Sequence, residues 1–170
     1  MDDRYGISLA VEHLLHKGYS ELYYLKDMDT MSARLKCEGF IRELEKCGFK
    51  DAKKRVIHTG SSIEGGMQAV ERLFAEQRKV TGIICGEDMT AVGVVKALLR
   101  QGIRVPEEVA VTGFNNSEYA QICEPQLTTI DNKPELVAMM SVQLLTSLIE
   151  KSGTYSSCTI QPELVIGETS

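Results

Sequence analysis

A chain of 170 residues with 43% hydrophobic and 25% charged content is long enough for one buried core and too apolar to remain disordered. Its net charge of −5 excludes the broadly basic surface with which DNA-reading domains hold phosphates, so these residues are not expected to bind nucleic acid themselves. No apolar run reaches membrane-spanning length and the opening MDDRYGIS lacks a basic-then-apolar leader, which predicts a cytoplasmic setting.

In chain order, Asp2-Asp3 offers capping carboxylates to a helix with Ile7, Ala10, Val11, Leu14 and Leu15 on one face, ended by Gly18. Glu21 to Lys26 reads as a strand. After the polar loop from Asp27, Ser32 is a candidate cap for a helix carrying Leu35, Phe40, Ile41 and Leu44 as far as Gly48. Lys54 to His58 is a short, edge-like strand, followed by the loop His58-Thr59-Gly60-Ser61-Ser62. A helix with Ile63, Met67, Val70, Leu73 and Phe74 comes next.

The segment 79–116 then repeats the unit most compactly: strand Thr81–Cys85, helix from Glu87-Asp88 to Gly102, strand Val109–Thr112. Short links between such elements imply a parallel βαβ crossover, and ligands of parallel sheets bind beyond the strands' carboxyl ends. Here those ends carry Gly86-Glu87-Asp88 and Phe114-Asn115-Asn116-Ser117. A helical turn over Ser117–Cys123, a brief strand Leu127–Ile130, a helix from Pro134 to about Lys151 and a last extended stretch Ser157–Ile166 complete the chain. The alternation predicts an α/β fold with a mainly parallel sheet and helices on both faces.

Two helices are too apolar for one-sided burial: Ala91–Leu99 and Leu136–Ile149. Each is expected to touch a partner subunit or another domain, or, for the first, to lie centrally.

Chemistry-bearing motifs are sparse. GSSIEGG at 60–66 lacks the lysine of a phosphate-binding loop and reads as a turn with a serine helix cap. Asp88 follows a strand, as catalytic carboxylates often do, but the structural role of a helix N-terminal residue is the favoured reading. Cysteines 37, 47, 85, 123 and 158 form no CxxC pair and have no histidine at ligand spacing, so reduced, mostly buried thiols are expected. Nothing assembles a nucleophile, base and oxyanion donor; neither an enzyme, a cofactor nor a metal is expected.

The ordered set GEDMTAVGVVKALLRQGIRVPEEVAVTGFNNSEYAQICEPQLTTID closely resembles the lactose-repressor (LacI/GalR) family of bacterial transcriptional regulators. Asp88, Ala91 and Gly93 fit its first motif. Gly102, Val105, Pro106, Val109, Val111, Gly113 and Phe114 fit the second, and Pro125, Leu127, Thr128 and Thr129 the third. Glu12-His13-Leu14 with Gly18, and Ala33-Arg34 with Gly39-Phe40, resemble the family's earlier motifs; Pro162-Glu163-Leu164-Val165 resembles its ending more loosely.

The resemblance implies a helix-turn-helix headpiece joined to a two-lobed, periplasmic-binding-protein-like effector domain, in which a small sugar or related metabolite alters the DNA affinity of a dimer. Positions 1–170 correspond to its second lobe, with about 131–151 returning to the first lobe and the headpiece lacking a counterpart. Carried over position by position, the effector site falls on Lys36, Ser61, Glu87 and Asn115, and the homodimer interface on Met89, Val92, Leu99, Tyr119 and Cys123. Lys36 stands where the family usually has arginine, keeping the charge without the bidentate fork. Glu87 replaces an Asn, Asn115 an Asp, and Ser61 falls near a ligand-stacking aromatic. A solute-binding protein for sugar uptake shares the two-lobed plan and is the alternative; the Val-Pro-Glu-Glu-Val and Pro-x-Leu-Thr-Thr motifs favour the regulator.

Overall fold

The computed structural model describes residues 1–150 and 157–170. Asp2 caps α1 (Asp3–His16) by accepting the Tyr5 N–H at 3.0 Å, and Ile7, Ala10, Val11 and Leu14 point inward. Gly18, at φ +91°, makes the left-handed exit that a Cβ would oppose. Strand β1 (Leu22–Lys26) follows, then α2 (Met31–Lys46). Thr30, rather than Ser32, is the cap of α2: its Oγ1 accepts the Ala33 N–H at 3.2 Å. The helix starts early because Asp29 stands at its positive end, held by Lys26 and Arg34.

A single 3-10 turn, Ala52–Arg55, leads into β2 (Val56–His58), and Ser62 caps α3 (Ile63–Ala75) through the Gly65 N–H at 2.9 Å. Then come β3 (Gly82–Cys85), α4 (Asp88–Arg100) and β4 (Ala110–Thr112). The four strands form one parallel sheet in the order β2-β1-β3-β4, with β2 on an edge as its composition implies. Period-2 alternation divides the central strands between two cores. Leu22, Tyr24 and Ile84 meet α1 and α2 on one face. Tyr23, Leu25, Ile83 and Cys85 meet α3 and α4 on the other. Both faces are covered, which is why β1 and β3 read as unbroken apolar runs.

Beyond β4, α5 (Glu118–Ile122) is a short turn of helix, and β5 (Thr129–Asp131) pairs antiparallel with β6 (Glu163–Val165). This small sheet is stitched to β4 by a parallel bridge between Thr112 and Thr128 and by the Val111 N–H donating to Thr169 O at 2.8 Å. The last expected stretch is therefore strand only after Pro162, where the chain can again donate to a ladder.

The two over-apolar helices part company. Most of α4 is buried against the sheet and α3, leaving exposed only Lys96, Leu99 and Arg100, with Met89 and Val92 half-exposed. In contrast, α6 (Pro134–Glu150) has no buried residue at all. Its expected end at Lys151 lies outside the described residues. Cysteine burial is also less than expected: Cys85 is buried, Cys37 and Cys123 are half-buried, and Cys47 and Cys158 are exposed, all as free thiols. Cys47 is exposed because it forms the C-cap of α2, where the chain turns into solvent. No helix among the described residues is long and apolar enough to cross a membrane.

Candidate functional site

Parallel pairing brings the carboxyl ends of all four main strands to one rim, so the loops after β2, β1, β3 and β4 are neighbours in that spatial order. The second turn of α2 lies behind this rim and directs Lys36 into it. Lys36 is 4% exposed; its Nζ donates to Gly86 O at 2.9 Å, approaches Glu87 Oε1 at 4.0 Å and stands 3.8 Å above the Phe114 ring. A buried ammonium must be compensated, and here a carbonyl, a carboxylate and an aromatic face share that task.

Glu87 is the N-cap residue of α4, but its carboxylate makes no cap bond. It turns instead to Asn115, whose Nδ2 donates to Glu87 Oε2 at 2.7 Å. Asn132, just after β5, donates from its own Nδ2 to Asn115 Oδ1 at 3.0 Å. Asn115 and Asn116 hold φ angles of +107° and +52°, a left-handed passage that costs a non-glycine residue energy and is maintained by surrounding bonds. Those bonds include the Asn115 N–H to Ile130 O at 2.8 Å and Asn116 Nδ2 to Asp131 Oδ2 at 3.3 Å.

Next to Glu87, Asp88 is 1% exposed and serves a different purpose. It accepts the Ser117 N–H at 2.7 Å, the Ser117 hydroxyl at 2.8 Å and the Thr129 hydroxyl at 2.5 Å. Every lone-pair direction that matters is taken, tying the starts of α4 and α5 to β5. Asp88 is thus a structural clamp and not a free carboxylate.

Burial governs the titration of this rim. It pushes the Glu87, Asp27 and Asp88 carboxyls above the usual carboxylate range, opposed for Glu87 and Asp27 chiefly by Lys36 and by backbone N–H groups respectively. Burial likewise lowers Lys36, against the pull of Glu87, Asp3, Asp27 and Asp88. The Tyr24 phenol is raised well above its ordinary value by its buried position and by Asp27.

Of the residues singled out from the sequence, Lys36, Glu87 and Asn115 come together. Ser61 lies in the loop after β2, on the far side of β1, and makes no hydrogen bond to the other three. The sequence reading passed over Asn132, Tyr24 and Asp27. Asp27 and Asn132 each directly follow a strand, so the carboxyl-end rule applied to every strand would have found them; Tyr24 sits inside an apolar strand and gave no signal. Of the other predicted set, Val92, Leu99 and Cys123 line one depression where α4 and α5 adjoin, while Met89 on α4 is half-exposed and Tyr119 on α5 is exposed. Leu99 is 44%, Tyr119 39% and Ile122 75% exposed there, beside Lys96, Arg100 and Glu124. No group of three His, Cys, Asp or Glu side chains placed to hold a metal occurs among the described residues.

Residues 11–170 match the periplasmic binding protein-like domain family. The chain is 34% identical over 173 residues to the HTH-type transcriptional regulator MalR of Streptomyces coelicolor, covering 97% of this chain and 49% of that protein. It spans about half the length of the curated relatives it matches. A dimeric Lac repressor with a C-terminal deletion superposes with a TM-score of 0.92 at 25% identity, over 99% of this chain and 62% of that one. A complex of the transcriptional regulator CelR with cellobiose shares the fold, with a TM-score of 0.91 at 22% identity over 100% of this chain and 53% of its own. The order of strands, the carboxyl-end rim and these matches converge: the chain belongs to the periplasmic binding protein-like domain family, in the form carried by LacI/GalR regulators.

Proposed function

We propose that this chain is the second lobe of the effector-binding domain of a LacI/GalR-type transcriptional regulator, a repressor in the cytoplasm that senses a small sugar-like metabolite. The observation that carries this reading is the network Lys36–Gly86–Glu87–Asn115–Asn132, a set of buried and half-buried polar groups gathered at the one edge where parallel sheets bind ligands. Glu87, Asn115 and Asn132 read ligand hydroxyls, Lys36 holds Glu87 and the Gly86 carbonyl in place, and Ser61 borders the far end. The cellobiose complex of a structural relative supports a sugar as ligand. The surface formed by Met89, Val92, Leu99, Tyr119 and Cys123 is assigned to a homodimer, and 131–151 to the first lobe. DNA is reached through a helix-turn-helix segment outside these residues. The protein is a binding switch and not an enzyme.

Titration calorimetry with a panel of neutral, amino, acidic and phosphorylated sugars tests the reading. At least one member binds, and Glu87→Ala weakens it about tenfold or more, the cost of a lost charge-assisted bond. A panel that produces no binding, or a Glu87→Ala protein that binds unchanged, overturns it.

A further inference from the structure

The rim holds a surplus of acceptors that the ligand-binding reading by itself does not explain. Lys36 lies in the field of four acidic side chains, Glu87, Asp3, Asp27 and Asp88, against its one ammonium. Its ammonium already has Gly86 O at 2.9 Å, Glu87 at 4.0 Å and the Phe114 ring as neighbours. The other nearby cations are spent at the outer margin, where Lys26 and Arg34 both pair with Asp29, at 3.2 Å and 3.0 Å.

Inside that margin, several polar atoms have no hydrogen-bond partner among the described residues: Asp3 Oδ1, Asp27 Oδ2 and the Tyr24 hydroxyl. Asp3 is 6% exposed and Tyr24 fully buried, so solvent does not account for either. Tyr24 and Asp27 converge on Gly86: a Cβ placed there would lie 3.0 Å from the Tyr24 hydroxyl and 3.0 Å from Asp27 Oδ1. Thus the glycine whose carbonyl receives Lys36 also leaves room for the Tyr24 phenol and for the half-buried Asp27 carboxylate beside it.

Resting on the effector-site reading above, we infer that this site takes a neutral or cationic ligand that presents hydroxyl or ammonium donors, and rejects ligands bearing carboxylate or phosphate. The half-buried carboxylates of Asp27 and Glu87 accept; they gain from donor groups and are repelled by further anions. An anion would find its natural receptor, Lys36, already compensated, and would add like charge at short range in a weakly solvated cleft. Selection against acidic sugars is then built from Asp27 and Glu87, positions separated widely in sequence, with Asp3 adding to the field on Lys36 from behind.

The test is calorimetric titration of the 170-residue protein with matched sets on single skeletons: glucose, glucosamine, glucuronate and glucose 6-phosphate, and the corresponding galactose set. Within whichever set binds, the neutral or amino member binds about tenfold or more tighter than its carboxylated or phosphorylated counterpart. Asp27→Asn narrows that preference severalfold, and Asp3→Asn serves the same purpose should Asp27→Asn fail to fold. An acidic or phosphorylated member that binds as tightly as its neutral counterpart overturns the inference and leaves the effector reading standing. No binding by any member overturns both.

Discussion

At the residue scale, the chemistry of this lobe is concentrated in groups that burial moves away from their usual ionisation. The Glu87 carboxyl is raised by desolvation against the opposing pull of Lys36 and Asn115. A carboxyl raised in the folded state contributes stability that is fully present below its unfolded value and is lost as pH rises through its folded value. Glu87→Gln removes that contribution. The stability difference between wild type and Glu87→Gln therefore shifts toward the wild type as pH falls from 7 through the weakly acidic range; urea unfolding at stepped pH checks it. A difference that is flat with pH, or that moves toward the variant on acidification, contradicts the burial argument. Lys36, Glu87 and Asn115 were reachable from sequence because they occupy motif positions. Their mutual bonds were not, since Lys36 and Gly86 O are fifty positions apart and only parallel pairing of β1 with β3 juxtaposes them. Tyr24 illustrates the limit: its hydroxyl is invisible in an apolar run, where every neighbour argues for core.

Among elements, the closest approach is that of α3 and α4. Gly66 and Gly93 face one another's helices: a Cβ on Gly93 would sit 2.0 Å from Ile63 O, and one on Gly66 would sit 2.1 Å from Thr90 O. The obstructing atoms are backbone carbonyls, which cannot rotate away as a side chain can. Gly93→Ala must separate the helices and is expected to destabilise the fold by about 1–3 kcal/mol, measured as a lower denaturation midpoint with an unchanged m-value. An unchanged midpoint would mean that the two helices are not locked at this spacing. This contact decides how α4 presents Asp88 to Ser117 and Thr129, and so how α5 is hung from the rim. Element types followed readily from apolar periodicity and glycine punctuation. What periodicity could not decide was whether α4 or α6 lay outside the core, because both carry apolar residues nearly all round; the difference is imposed by α3 and the sheet, which enclose α4 and leave α6 bare.

For the whole molecule, the consequence is an unbalanced surface. A compact monomer of 18.8 kDa exposes about 8,300 Å², whereas this chain exposes 9152 Å². Exposed apolar side chains are grouped in two places. On α6, Met139, Val142, Leu145, Leu148 and Ile149 are each between 47% and 73% exposed. Where α4 meets α5, Leu99, Tyr119 and Ile122 form the second patch. Contiguous apolar surface of this kind drives association until it is covered. The chain in isolation is therefore expected to self-associate at micromolar concentration, by both patches. Placing a carboxylate in a contact that must lose its water is costly, so Leu99→Asp with Ile122→Asp should weaken assembly about tenfold or more and leave a residual species held by α6. Adding Leu145→Asp should bring the mass to that of a monomer. Sedimentation equilibrium distinguishes the steps. A wild-type chain that remains monomeric at the highest concentration attainable would show that neither patch is an interface. If the α6 change alone suffices, association runs through α6, and the α4–α5 surface is then not the dimer contact.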